Sequence, residues 1–174
     1  MKFDNKKELK QIFGTGKKPV SFIYPEMRYL TITGAGNPNQ EPFALNTQAL
    51  YSVMYTLKFA YKAHPSDQTF DDFVVAPLMG HWTISDAAIK RGSFTKDDFV
   101  YELRIMIPPF VPKEMVEDAI IQAYDKKGFA EIKQTEIKTY PAMQVGQILH
   151  VGPYDDEPKS FAILEEFLDT SGLK

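Results

Sequence analysis

The stretch "VYELRIMI" at residues 100–107 sets one carboxylate into an otherwise apolar, β-prone run. On the two-residue period of a strand, Tyr101, Leu103, Ile105 and Ile107 share one face, and Glu102, Arg104 and Met106 share the other. The first set is the more apolar and belongs under helices, so Glu102 points the opposite way. Two environments are open to it. It can be an exposed strand carboxylate paired with Arg104 or a cross-strand lysine, or it can be enclosed among aromatic side chains. Enclosed, it would resist ionisation unless it met a cation, and its pKa would rise toward the range of a general acid or base.

Other chemistries find little support. His64, His81 and His150 are dispersed, without the HExxH or paired-histidine spacing of a metal site. His81 neighbours Trp82 and His150 precedes a glycine turn, so each can be a satisfied structural histidine or touch a binding site. There is no GxSxG elbow, and "GTGKK" at residues 14–18 lacks the spacing and the preceding strand of a phosphate-binding loop. With no cysteine, disulfides, thiolate metal sites and a cysteine nucleophile are excluded. No cofactor and no metal are implied.

The elements that must position Glu102 follow from periodicity. "EMRYLTITGAG" reads as a strand. After "GNPNQEP", Pro42 suits the first turn of a helix on which Leu50, Val53, Met54, Leu57 and Tyr61 form one apolar stripe. "FVVAPLMGHWTIS" and "DFVYELRIMIP" are two strands, joined as a hairpin by the charged stretch "DAAIKRGSFTKD". "PKEMVEDAIIQAYDKKG" is a helix with Met115, Ala119, Ile120 and Ala123 on one face and Gly128 as its stop. "FAEIKQTEIKTY" alternates as an edge strand does, "AMQVGQILHVG" is a further strand, and "SFAILEEFLD" is a helix after Pro158. Residues 1–18 read as a polar N-terminal arm ended by Gly14-Thr15-Gly16, and residues 19–174 as one domain.

A chain of 174 residues with 44% hydrophobic and 13% aromatic content suits one packed domain. Its net charge of -3 lacks the basic field of nucleic-acid binders, so no direct nucleic-acid partner is expected. No apolar run approaches the ~20 residues of a membrane span, and no signal-peptide-like segment opens the chain. A cytoplasmic protein without a membrane partner is the expectation, and a protein partner is left open.

The turn "GNPNQEP" (residues 36–42) has a near echo in "GPYDDEP" (residues 152–158). Each places a glycine four residues before a Glu-Pro pair, after a strand and before a helix, so the chain starts the same module twice.

With this duplication, "QILHVGPYDDEPKSF", "VVAPLMGHWTISD" and "FVYELRIMIP" together resemble the GyrI-like small-molecule-binding family. That group includes drug-sensing domains of bacterial transcription activators and stand-alone proteins, and the long helix "LYSVMYTLKFAYK" resembles the stand-alone branch. The resemblance spans roughly residues 20–170. It implies an α+β fold of tandem βαββ repeats with antiparallel sheet and a ligand cleft at the pseudo-dyad: repeat one over about 19–108, a linking helix and strand over about 112–138, and repeat two from about 140. The chain stops at "FLDTSGLK", after the second repeat's helix, where the family continues with two more strands and a further cleft carboxylate. The second repeat is therefore expected to be truncated.

In that architecture the face carrying Glu102 is the cleft, and Trp82 matches a cleft position, although a lone tryptophan is most often core. Tyr51 and Tyr55, four residues apart on the long helix and off its stripe, either lie on the surface or lean over the cleft edge. With Tyr154, and His150 beside the second turn, they would make an aromatic enclosure for planar, lipophilic and often cationic ligands. Some stand-alone members hydrolyse electrophilic cyclopropanoid genotoxins. The resemblance thus implies a self-protective hydrolase in which Glu102 orients or deprotonates water and Tyr55 donates to the carbonyl that takes up charge. The other reading is a non-catalytic xenobiotic sensor or sequestering protein, and a gyrase-inhibiting partner role is a third. The absence of a helix-turn-helix segment argues against a self-sufficient transcription factor.

Overall fold

A computed structural model describes residues 1–173. In chain order the elements are β1 (Lys2–Phe3), α1 (Asn5–Glu8), α2 (Lys10–Phe13), β2 (Val20–Tyr24), β3 (Met27–Ala35), α3 (Glu41–Ala63), β4 (Asp72–Phe73) and β5 (Met79–Ile84). There follow α4 (Asp86–Arg91), β6 (Phe99–Met106), α5 (Lys113–Lys127), β7 (Glu136–Tyr140), β8 (Met143–Gln147) and α6 (Glu157–Thr170). The fold is α+β, and the chain divides into two compact units: residues 1–5 with 27–139, and residues 6–26 with 140 onward.

The first unit is built on an antiparallel sheet in the order β5-β6-β3-β7. Its β3, α3, β5 and β6 form the expected βαββ module, and α3 packs on β3 and β6. The helix stripe explains why: Leu50, Val53, Met54, Leu57 and Tyr61 are all fully buried. They meet the alternating Leu30 and Ile32 of β3 and Tyr101, Leu103 and Ile105 of β6, which are buried as well. At roughly 1.5–3 kcal/mol per large apolar side chain, this face supplies most of the drive that holds helix to sheet. Helix α5 lies beside α3 and buries Val116, Ala119 and Ala123, so its stripe runs through Val116, with Met115 and Ile120 half-buried at its margins. It ends at Gly128, whose φ of 76° is the left-handed helix stop.

The expected hairpin of β5 and β6 is present, but its connection folds into α4, capped by the Ser85 hydroxyl accepting from Ala88 N–H at 3.2 Å. The strand expected over residues 129–140 is confined to β7; Ala130–Gln134 is a 3-10 turn that buries Ile132. Residues 1–18, set apart as an arm by their polarity, contribute to both units. Phe3 is buried where β1 pairs in parallel with β4, and Ile12 is buried in α2.

The second unit contains the antiparallel pair β2-β8 and helix α6. The two echoing turns are alike in backbone: Gly36 has φ 103° and Gly152 has φ 132°, values that L side chains rarely adopt. Each leads into a helix whose first turn carries the Glu-Pro pair. Among the described residues no helix is long and apolar enough to cross a membrane.

Candidate functional site

Glu102 lies on the sheet face opposite α3, as the strand period requires. It pairs across the sheet with Thr33 of β3 and His81 of β5, while Arg104 pairs with Thr31 and Met79. The Glu102 side chain is only 12% exposed. Its Oε1 accepts from Arg104 Nε at 2.5 Å, and its Oε2 accepts from Lys138 Nζ at 2.8 Å. Lys138 stands on β7, two strands away in the sheet, so its side chain spans β3 to reach the carboxylate. The ammonium is also 3.6 Å from the Glu136 carboxylate, and the Arg104 guanidinium sits 5.8 Å from the centre of the Tyr29 ring. Of the two environments open to Glu102, its bonds are those of a strand carboxylate paired with Arg104 and a cross-strand lysine. Both oxygens are engaged by cations within the protein.

Trp82 is on the other face. It pairs with Tyr101, which points toward α3, and directly opposed residues share a face. Its ring stacks on Phe43 at 5.7 Å and meets Phe99 at 5.5 Å and Tyr101 at 5.2 Å. It remains 42% exposed, a partly wet member of an aromatic cluster rather than a neighbour of Glu102. Tyr101 is tied into this layer by the Asn46 side-chain amide, which donates to its hydroxyl at 3.2 Å.

Tyr51 and Tyr55 lie on the outer side of α3 with ring centres 6.3 Å apart. They wall a groove of about 600 Å³ between α3 and α5, together with Phe59. The opposite wall carries Gln122, Lys126 and Lys127 of α5. Phe59 continues the Tyr51-Tyr55 row at the next four-residue step, so this aromatic edge is legible in the sequence once the helix is known. The α5 wall is not, because it depends on which helices pack together. Neither Lys126 nor Lys127 has an ion-pair partner among the described residues. Among the described residues no carboxylate lines this groove.

In the second unit, Tyr154 sits in a 3-10 turn ahead of α6 and is 82% exposed. His150 is held at both ring nitrogens: Nδ1 lies 2.8 Å from Ser160 Oγ and Nε2 lies 2.9 Å from the Pro153 carbonyl oxygen. His150 and Tyr154 belong to the second unit, whereas Glu102, Trp82, Tyr51 and Tyr55 belong to the first. Within the first unit the sheet separates Glu102 from the three aromatic residues. Among the described residues no group of three or more His, Asp or Glu side chains is placed to hold a metal ion.

Comparison with known proteins adds one firm likeness. No family model matches the chain, and no curated protein matches it. Three crystal structures from Listeria innocua do. The chain is 29% identical to an uncharacterized conserved protein, with a TM-score of 0.84 over 98% of this chain and 82% of that one. It is 29% identical to a protein described as a hydrolase, with a TM-score of 0.82 over 98% and 81% of the two chains. A further structure described as a hydrolase is 28% identical, with a TM-score of 0.84 over 99% and 82%. The α+β arrangement is therefore one already seen in crystals.

Proposed function

We propose that this chain is a small-molecule-binding protein of the GyrI-like type, and that its first unit takes a planar, uncharged aromatic ligand in the groove between α3 and α5. The observation that carries this reading is the groove itself: about 600 Å³, with Tyr51, Tyr55 and Phe59 along one wall. That volume suits a drug-sized molecule. A flat ring system stacks on tyrosine faces, while the hydroxyls and the Lys126 and Lys127 ammonium groups donate to its carbonyl oxygens. The lysines and the absence of a lining carboxylate favour an uncharged ligand with acceptor groups over a cation. Glu102, engaged by Arg104 and Lys138, ties β6 to β7 and takes no part in this binding.

A second reading, hydrolysis of electrophilic cyclopropanoid genotoxins in the cytoplasm, is favoured by the two similar Listeria innocua structures described as hydrolases. Such drugs are flat and uncharged. In this reading the Tyr55 hydroxyl donates to the conjugated carbonyl as water opens the ring. Incubation with a cyclopropanoid drug followed by mass spectrometry separates the two. Ring-opened, water-added product supports the enzyme, unchanged drug bound to the protein supports the binder, and no binding of any planar neutral aromatic compound ends both.

A further inference from the structure

His150 makes two hydrogen bonds, and one of them decides the chemistry of the other. Nε2 is 2.9 Å from the carbonyl oxygen of Pro153. A carbonyl oxygen can only accept, so in the neutral imidazole Nε2 carries the hydrogen and Nδ1 presents its lone pair. Nδ1 is 2.8 Å from Ser160 Oγ, so the serine hydroxyl is the donor. A hydroxyl thus points its proton at a base whose tautomer and ring orientation are held by a third group, which is the arrangement that activates a serine nucleophile.

The surroundings fit the same chemistry. His150 and Ser160 both line a pocket of about 240 Å³ within the second unit, with Ile148, Phe161 and Leu164 as its apolar part and Glu157 as its acidic one. Ser160 stands in the first turn of α6, a helix start that no side chain caps.

We propose that Ser160 and His150 form a nucleophile–base pair that transfers a small, uncharged acyl group from an ester to water. As Oγ bonds to the ester carbonyl carbon, the hydroxyl proton passes to His150 Nδ1. The carbon–oxygen bond to the alcohol then breaks, and the alcohol leaves with that proton. Water, deprotonated by Nδ1, attacks the acyl-serine; the bond to Oγ breaks, the proton returns to Ser160, and a carboxylic acid departs. The pocket volume limits the acyl group to a few carbons, and Glu157 disfavours an acyl group that carries its own carboxylate. This activity is independent of the groove on α3.

The full chain is treated with a fluorophosphonate probe and assayed with p-nitrophenyl butyrate. The expected result is one covalent adduct, mapped to Ser160, with kcat/KM falling by about 100-fold or more in Ser160→Ala and in His150→Gln. Ser160→Cys keeps the shape of the site, and its thiol should react with iodoacetamide several-fold faster than in the Ser160→Cys/His150→Gln double variant. Labelling elsewhere, an unchanged rate in Ser160→Ala, or equal alkylation of the two cysteine variants overturns the proposal, and the pair is then a staple between turn and helix.

Discussion

The two echoing turns start alike and end differently. Gly36 and Gly152 both adopt positive φ, and α3 and α6 both begin at a Glu-Pro pair. Yet α3 buries Asn46, Ala49, Leu50, Val53, Met54, Leu57 and Tyr61, whereas α6 buries none of its residues and leaves Phe161 57% and Ile163 50% exposed. A turn and a helix start are properties of a few neighbouring residues, so a repeated sequence repeats them. Burial is a property of what packs on the helix, and the four-stranded sheet that covers the α3 stripe is contributed by residues 27–140.

The largest expected consequence is in the cores. Leu57→Ala should lower unfolding free energy by about 2–5 kcal/mol, whereas Ile163→Ala should change it by about 0.5 kcal/mol or less. Equal effects in urea titrations would break the comparison. A similar contrast holds for ion pairs. Lys58 of α3 donates to Asp72 Oδ1 at 2.5 Å with both side chains mostly buried, while Lys159 meets Asp156 at 2.9 Å in solvent. Burial alone would raise the Asp72 carboxyl, but the hydrogen bonds from Lys58 and the Phe73 amide and the charges of Lys58 and Lys2 outweigh it, leaving the group below its ordinary value of 3.8. A depressed carboxyl contributes stability above the unfolded-state value and loses it as pH falls through the folded-state one. Asp72→Asn should therefore destabilise by roughly 1.5–3 kcal/mol at neutral pH, with the difference from wild type shrinking below about pH 4. Asp156→Asn should change stability by about 0.5 kcal/mol or less at neutral pH, as loss of an exposed pair does. Thermal melts between pH 3 and 7 read both.

Where the two modules agree, so should their variants. Gly36→Ala and Gly152→Ala each force a side chain into a positive-φ conformation, at about 1–2 kcal/mol apiece. A loss confined to Gly36→Ala would mean that the second turn is not held as the first is.

Most of the fold was legible because it is local or periodic. The stripe from Leu50 to Tyr61 named the buried face of α3, and the two-residue period of "VYELRIMI" named the side from which Glu102 projects. What the sequence withheld depends on register and on partners far along the chain. The face of Trp82 follows from its pairing with Tyr101, which no single strand discloses, and this pairing puts it across the sheet from Glu102. The fate of Glu102 depended on Lys138, 36 residues later on a strand that is not its neighbour. The groove needed α3 and α5 to be side by side before Tyr51 and Tyr55 could face Lys126 and Lys127. Polarity likewise concealed the pairing of Lys2–Phe3 with β4, where a single phenylalanine supplies the buried contact.

The central claim, that the ligand belongs to the helix side of the first unit, meets its most direct test in calorimetric titration of one planar, neutral aromatic drug into wild type, Tyr55→Ala and Glu102→Gln. Loss of one stacked ring should weaken binding about 3- to 10-fold in Tyr55→Ala, while Glu102→Gln binds as wild type does. Weakened binding in Glu102→Gln with Tyr55→Ala unaffected would contradict the account and move the ligand to the opposite face of the sheet.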